Sequence, residues 1–125
     1  MNIIVMKFGG TSVADTEKLK NIVNIVSQEV NKYKVVVVLS AMAGETNKLQ
    51  GYLDQFGSQN SIESDLVLTS GEQVTIGLLS AALKNEGIKS IPLLGWQIPI
   101  ITDDNHEQAK ILQIDNKRIR GYFEN

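Results

Sequence analysis

Residues 34–40 read KVVVVLS, a lysine followed by four valines and a leucine without a polar interruption. β-Branched side chains are stiff at χ1 and favour extended backbone. A strand with one wet face alternates polar and apolar residues, whereas an unbroken apolar run is the pattern of a parallel strand covered on both faces. This short run therefore directs the chain towards an α/β fold with a mainly parallel sheet sandwiched by helices. Residues 2–8, NIIVMKF, predict another strand dense in branched apolar side chains. Between the two, Leu19, Ile22, Val23, Val26 and Val30 recur at spacings of three and four, one apolar face of a helix. Asp15 is placed to cap that helix, and Glu17 lies in its first turn near the positive end of the dipole. Strand, helix and strand in this order predict a right-handed crossover unit.

Further along, a second helix is expected over 45–56, with Leu49 and Leu53 four apart and Gly57 as its stop. GSQNSIES, 57–64, reads as a polar, flexible loop. A long helix is expected over 64–86, ending at Gly87, with Val74, Leu78, Ala81 and Ala82 at helical spacing. Gly71 and Gly77 weaken it internally. KSIPLLG, 89–95, predicts a third strand, with Pro92 confining it to an edge or an interruption of the ladder. Two apolar runs around TDDNHEQ within 98–114 predict a small hairpin, and a short helix is expected from near Asp115 onwards.

Charge and composition narrow the function classes. A net charge of −2 offers no electrostatic footprint for nucleic acid or an anionic membrane. With no cysteine, disulfide and thiolate chemistry are excluded, and a single histidine, His106, disfavours a histidine zinc site. No uncharged run approaches the roughly 20 residues that span a bilayer, and Lys7 interrupts the N-terminal apolar stretch too early for a signal peptide. A cytoplasmic location, with small molecules or other proteins as partners, is the expectation. At 125 residues the chain is one domain's worth.

Ligands of open α/β sheets collect beyond the carboxyl ends of the strands, and three groups of residues fall there. Lys7, Phe8, Gly9, Gly10 and Thr11 follow the first strand; Ser40 ends the second, with Thr46 opening the next helix; Glu72 is the acid of TSGE. Adjacent glycines let backbone N–H groups approach an anion, the following helix offers a positive dipole end, and the lysine adds a full charge. The lysine precedes the glycines, so this is neither a Walker A loop nor G-x-G-x-x-G. A strand-to-helix turn that needs positive φ, with Lys7 solvated, accounts for the same residues. Taken singly, Glu72 reads as an exposed helical glutamate, Ser40 and Thr46 as strand-end and cap hydroxyls, His106 as a surface residue and Trp96 as a packing residue. TDDN, 102–105, suggests either a metal or, more simply, a solvated turn.

Taken together, KFGGTSV, then VVVVLSAMAGETN, then LTSGEQ, then GWQ with a downstream TDD resemble the aspartokinases in order and spacing, over essentially the whole chain. The resemblance implies the amino acid kinase fold, an α/β/α sandwich, here incomplete. It implies transfer of the γ-phosphoryl group of ATP, with Mg²⁺ on the nucleotide, to the side-chain carboxylate of L-aspartate, a step towards lysine, threonine and methionine. Lys7 matches the phosphate-binding and catalytic lysine; Phe8, Gly9, Gly10 and Thr11 match the turn beneath the phosphates. Ser40, Thr46 and Glu72 match positions lining the amino-acid pocket, and Gln97 matches a further position only loosely, because Ile98 and Pro99 replace the family's small residues. Residues 1–125 are then the amino-terminal, amino-acid-substrate part of the kinase domain. The nucleotide lobe, with its GRGGSD-like segment, and the regulatory domains lie outside it. Activity is expected to need a second polypeptide carrying the rest; a homo-oligomer is compatible with the sequence. The alternatives are a non-catalytic remnant serving as a binding or assembly module, and a family member acting on glutamate or a nucleotide.

Overall fold

The structure, a computed structural model, describes residues 2–57 and 60–124. β1 (Ile3–Phe8) and β2 (Lys34–Leu39) pair in parallel, with Ile3 opposite Lys34 and Phe8 opposite Leu39. They are joined by a single 3-10 turn (Gly10–Val13) and helix α1 (Thr16–Glu29). Asp15 caps α1 as expected, accepting the Lys18 amide at 2.8 Å. α2 (Glu45–Gln55), α3 (Ile62–Leu68) and α4 (Ser70–Asn85) follow. A separate antiparallel hairpin, β3 (Ile100–Thr102) and β4 (Ile111–Ile114), precedes α5 (Lys117–Glu124).

The core is built by alternation. Met6 and Phe8 of β1, with Val35, Val37 and Leu39 of β2, face Leu19, Ile22, Val23 and Val26 of α1 and Leu79 and Leu83 of α4. Each fully buried Leu, Ile or Val contributes about 1.5–3 kcal/mol through removal of apolar surface from water. The other face of the sheet is more open: Ile3, Val5, Lys7 and Val38 are exposed, while Lys34 and Val36 are half-buried. At its far end α5 approaches, with Lys34 Nζ 5.8 Å from the Phe123 ring. The unbroken valines thus announce two covered faces, and among the described residues one is covered well and the other in part.

Four expectations are corrected. Residues 89–95 form no strand; Pro92 lacks an N–H for a ladder, and Ser90 instead shares a hydroxyl–hydroxyl bond of 2.9 Å with Ser80 on α4. The long helix over 64–86 begins earlier, at Ile62, and is interrupted at Thr69. Hydroxyls compete with the helix there: Thr69 Oγ1 donates to the Asp65 carbonyl at 2.8 Å and Ser70 Oγ to that of Val67 at 2.6 Å. The buried face of α4 is Gly71, Thr75, Leu79 and Leu83, one position on from Val74 and Leu78, which are exposed. The loop expected over 57–64 lies partly at 58 and 59, outside the described residues; from Ile62 onwards it is helix, secured by a reciprocal Ser61–Ser64 capping box. By length and composition an 18-residue stretch within Ile62–Asn85, at a mean hydropathy of 1.4, would also suit a membrane span, although Leu79 and Leu83 pack against α1 in the core.

Candidate functional site at the carboxyl rim of the sheet

Beyond Phe8 the ladder continues for one bond, from the Ser40 amide to the Phe8 carbonyl at 3.2 Å. This places Ser40 beside the start of the glycine turn. Gly9 is extended, at φ −80° and ψ 175°, and the Ser12 amide closes the turn onto the Gly9 carbonyl at 2.9 Å. Among the described glycines, positive φ occurs in Gly44, Gly57 and Gly87, not in Gly9 or Gly10. The explanation that the pair is required by a left-handed backbone therefore fails. Packing does not require Gly9 either: a Cβ there would meet nothing within 4 Å. At Gly10 a Cβ would lie 3.4 Å from the Ala41 carbonyl oxygen, a tight approach to the segment after β2. What Gly9 leaves is uncovered backbone facing open space at the rim.

The electrostatics differ from expectation in one respect. The glycines open a 3-10 turn and not α1 itself, whose N-terminus is already served by the Asp15 carboxylate, with Glu17 paired to Lys20 at 2.7 Å. The dipole of α1 is thus answered by the chain's own acids, and attraction for an anion rests on Lys7 and the turn amides. Phe8 turns its side chain into the core, so only its backbone faces this region.

Glu72 is brought in by a close approach. A Cβ on Gly71 would sit 2.9 Å from that of Ala41, 3.5 Å from a Leu49 methyl and 3.9 Å from the Glu45 Cβ. Only a residue without a side chain lets α4 press onto the segment between β2 and α2. Ser40 is the neighbour of Ala41 and Glu72 the neighbour of Gly71, while Thr46 follows Glu45 in the first turn of α2. Gly44, at φ 83°, makes the sharp entry into that helix. Three segments distant in sequence thereby converge at one rim. Sequence inspection found Gly71 only as a weak point in a helix; its role is visible only once Ala41 is placed.

The side chains of Lys7, Thr11, Ser40, Thr46 and Glu72 form no hydrogen bond or ion pair among the described residues. Glu72 is nevertheless half-buried. Gln97 does not join them: its Oε1 accepts the Leu94 amide at 2.8 Å and its carbonyl accepts Arg118 Nη1 at 2.9 Å. Trp96, expected to pack, is 76% exposed. The TDDN segment is a turn, as Asp103 Oδ1 accepts the amides of Asn105 and Lys110 at 3.2 and 3.1 Å. Those bonds hold the Asp103 carboxyl below its ordinary value of 3.8. No group of three or more acids, histidines or cysteines is placed to hold a metal among the described residues.

Comparison with known proteins places this α/β unit. A model of the amino acid kinase family matches residues 2–125. An aspartokinase of Rickettsia conorii is 43% identical over 129 aligned positions, covering 99% of this chain and 32% of that protein. An aspartokinase of Geobacillus stearothermophilus is 45% identical over 122, covering 96% of this chain and 30% of its own. The crystal structure of aspartate kinase from Synechocystis superposes with a TM-score of 0.64 at 38% identity, over 69% of this chain and 15% of that one. The chain belongs to the amino acid kinase family. It spans about three-tenths of the length of the curated relatives it matches.

Proposed function

We propose that this chain is the amino-terminal, substrate-binding part of a cytoplasmic aspartate kinase and contributes to phosphoryl transfer from ATP to L-aspartate. The observation that carries the reading is the rim itself: an unpaired cation and uncovered glycine backbone on one side, an unpaired half-buried carboxylate on the other. In the proposal, Lys7 and the amides of Gly9, Gly10 and Thr11 hold the nucleotide's terminal phosphates, and the open space over Gly9 suits close approach of an anion. Mg²⁺ arrives with the nucleotide and neutralises charge on its phosphates.

Glu72 provides the counter-charge for the α-ammonium of the amino acid, and Ser40 and Thr46 hydrogen-bond its polar groups. The acceptor carboxylate is ionised at neutral pH, so no general base is needed. A carboxylate oxygen bonds to the γ-phosphorus as the bond to the bridging oxygen breaks, leaving ADP and an acyl phosphate. The chain's task is to align two anions and stabilise the charge between them. The remaining nucleotide contacts come from outside residues 1–125.

The test is co-expression of the chain with the remaining part of an aspartate kinase, followed by an assay of phosphate transfer to L-aspartate. Turnover that vanishes on Lys7→Met supports the reading. A formed complex that binds L-aspartate without turnover leaves a binding module, and turnover of glutamate or a nucleotide in preference to aspartate reassigns the substrate.

A further inference from the structure

The polar groups absent from the rim's internal bonding have a counterpart elsewhere, between α3 and the tip of the β3–β4 hairpin. His106 Nδ1 lies 2.6 Å from Asp65 Oδ2, and the Glu107 amide donates to Asp65 Oδ1 at 3.0 Å. Glu107 in turn accepts the Asn60 amide, just ahead of α3, on Oε1 at 2.9 Å. Three bonds thus tie residues more than 40 positions apart, and both oxygens of one carboxylate are used. Glu107 sits at φ 62°, a left-handed conformation uncommon outside glycine, which the two bonds on either side of it fix.

We propose that Asp65 is a positioning residue: paired with His106, it latches the hairpin tip onto α3, on the side of the α3–α4 rod that carries Glu72. The geometry follows from helical spacing. Asp65 and Glu72 are seven residues apart, close to two full turns, so they share one face at about 10 Å separation. Thr69 between them keeps right-handed helical torsions, at φ −67° and ψ −15°, and the buried positions continue across it at helical spacing, from Ser64 to Gly71 and Thr75. The docked tip leaves a hollow of about 320 Å³ whose lining includes Asp65, Asp103, Asp104, His106 and Ala109. The latch acts on the amino-acid site through the hairpin it holds, and this functional consequence rests on the reading of Glu72 above; the latch itself does not.

Two carboxylate-bound donors are chemically consistent with an ionised Asp65. The His106 ring, then the Glu107 amide, hold its carboxyl below the ordinary 3.8, and an ionised acid obliges His106 Nδ1 to donate. Glu63, Asp103 and Asp104 add further negative charge around the tip, and Lys110 stands on its return strand side.

Amide hydrogen exchange on the whole chain, read by NMR, is the test. In Asp65→Asn the Glu107 amide is expected to exchange at least about tenfold faster, with the β3 and β4 amides following and those of β2 unchanged. The ring ¹⁵N shifts of His106 are expected to show the proton on Nδ1 in the parent and its redistribution to Nε2 in the variant. In a completed kinase the same variant raises KM for the amino acid several-fold with kcat within about twofold. Unchanged exchange at Glu107 and in the hairpin overturns the latch, and loss of kcat with KM unaltered overturns its role at the amino-acid site. Should Asp65→Asn lose β2 protection as well, His106→Ala, which removes a part-exposed ring, decides the matter by the same readouts. Failure of the parent to bind L-aspartate refutes the role of Glu72 while the exchange result still judges the latch.

Discussion

At the junction of α3 and the hairpin, Asp65, His106, Glu107 and the Asn60 amide bond to one another; at the rim of β1 and β2, the side chains of Lys7, Ser40, Thr46 and Glu72 make no hydrogen bond or ion pair among the described residues. Both regions are polar, and both assemble from segments distant in sequence. The contrast separates two uses of a polar side chain. Groups that satisfy each other hold the fold in place, and their removal is felt as local loosening. Groups left to solvent, or half-buried without a partner, add little to the fold, so changing them is expected to be felt in binding rather than in stability.

The largest effect that separates the regions is expected from Lys7→Met. Lys7 is exposed and unpaired, so melting should be unchanged, while turnover of a completed enzyme falls by about 100-fold or more, the scale of losing a charge aimed at a transferring group. Equal turnover would return the rim to the status of an ordinary turn. Next is Gly71→Ala, which forces a methyl to within 2.9 Å of the Ala41 Cβ. Overpacking of this kind costs about 1–3 kcal/mol, measurable by urea unfolding, and should weaken L-aspartate binding because Glu72 moves with α4. Glu72→Gln tests the same pocket without strain: about a tenfold loss of L-aspartate affinity by calorimetry, with the unfolding midpoint retained.

Gly9→Ala is smaller still and more discriminating. With a negative φ and open space around a new Cβ, the folded state accommodates it within about 0.5 kcal/mol or gains slightly from a stiffer unfolded chain. Nucleotide affinity should nevertheless drop, since the methyl occupies the approach to the turn. A stability loss well above that figure, measured by thermal melting, would show that the glycine serves the fold. The smallest effect is acid sensitivity at the junction. Asp65, Asp103 and Glu63 all have carboxyls held below their ordinary values, by the His106 ring, by the Lys110 amide and by Glu63's own amide respectively. A lowered folded pKa stabilises above the unfolded value and loses that contribution as pH falls through the folded one. Hairpin amides should therefore lose protection below about pH 4 before those of β2, and the reverse order would contradict the assignment.

Much of the frame is legible in the residues. The β1–α1–β2 unit, the α1 face, the Asp15 cap, the α2 span and the hairpin around TDDNHEQ all follow from local periodicity and cap chemistry. Local rules failed where a neighbour had the final word. KSIPLLG carries strand-like residues but finds no ladder, and α4 turns Gly71 inward where Ala41 and α2 leave no room for a side chain. The candidate site was legible as residue types, since KFGG, SAMAGET and SGE lie in chain order. Its assembly was not, because the contact of Gly71 with Ala41 links positions thirty apart. The Asp65–His106 pair left no sequence signal, as one histidine and one aspartate at long separation form no pattern.

The order of residues alone determined the extended and helical segments, the cap that starts α1 and the placement of a lysine before paired glycines at a strand's end, because each is settled within a few neighbours by torsional preference and local hydrogen bonding. Only the folded arrangement decided that Gly9 owes nothing to its own backbone, that Gly71, the neighbour of Glu72, meets Ala41 beyond the end of β2, and that Val38 on the valine strand stays exposed. Those outcomes depend on which surfaces come together and how closely, and the distances between surfaces are written in no single segment.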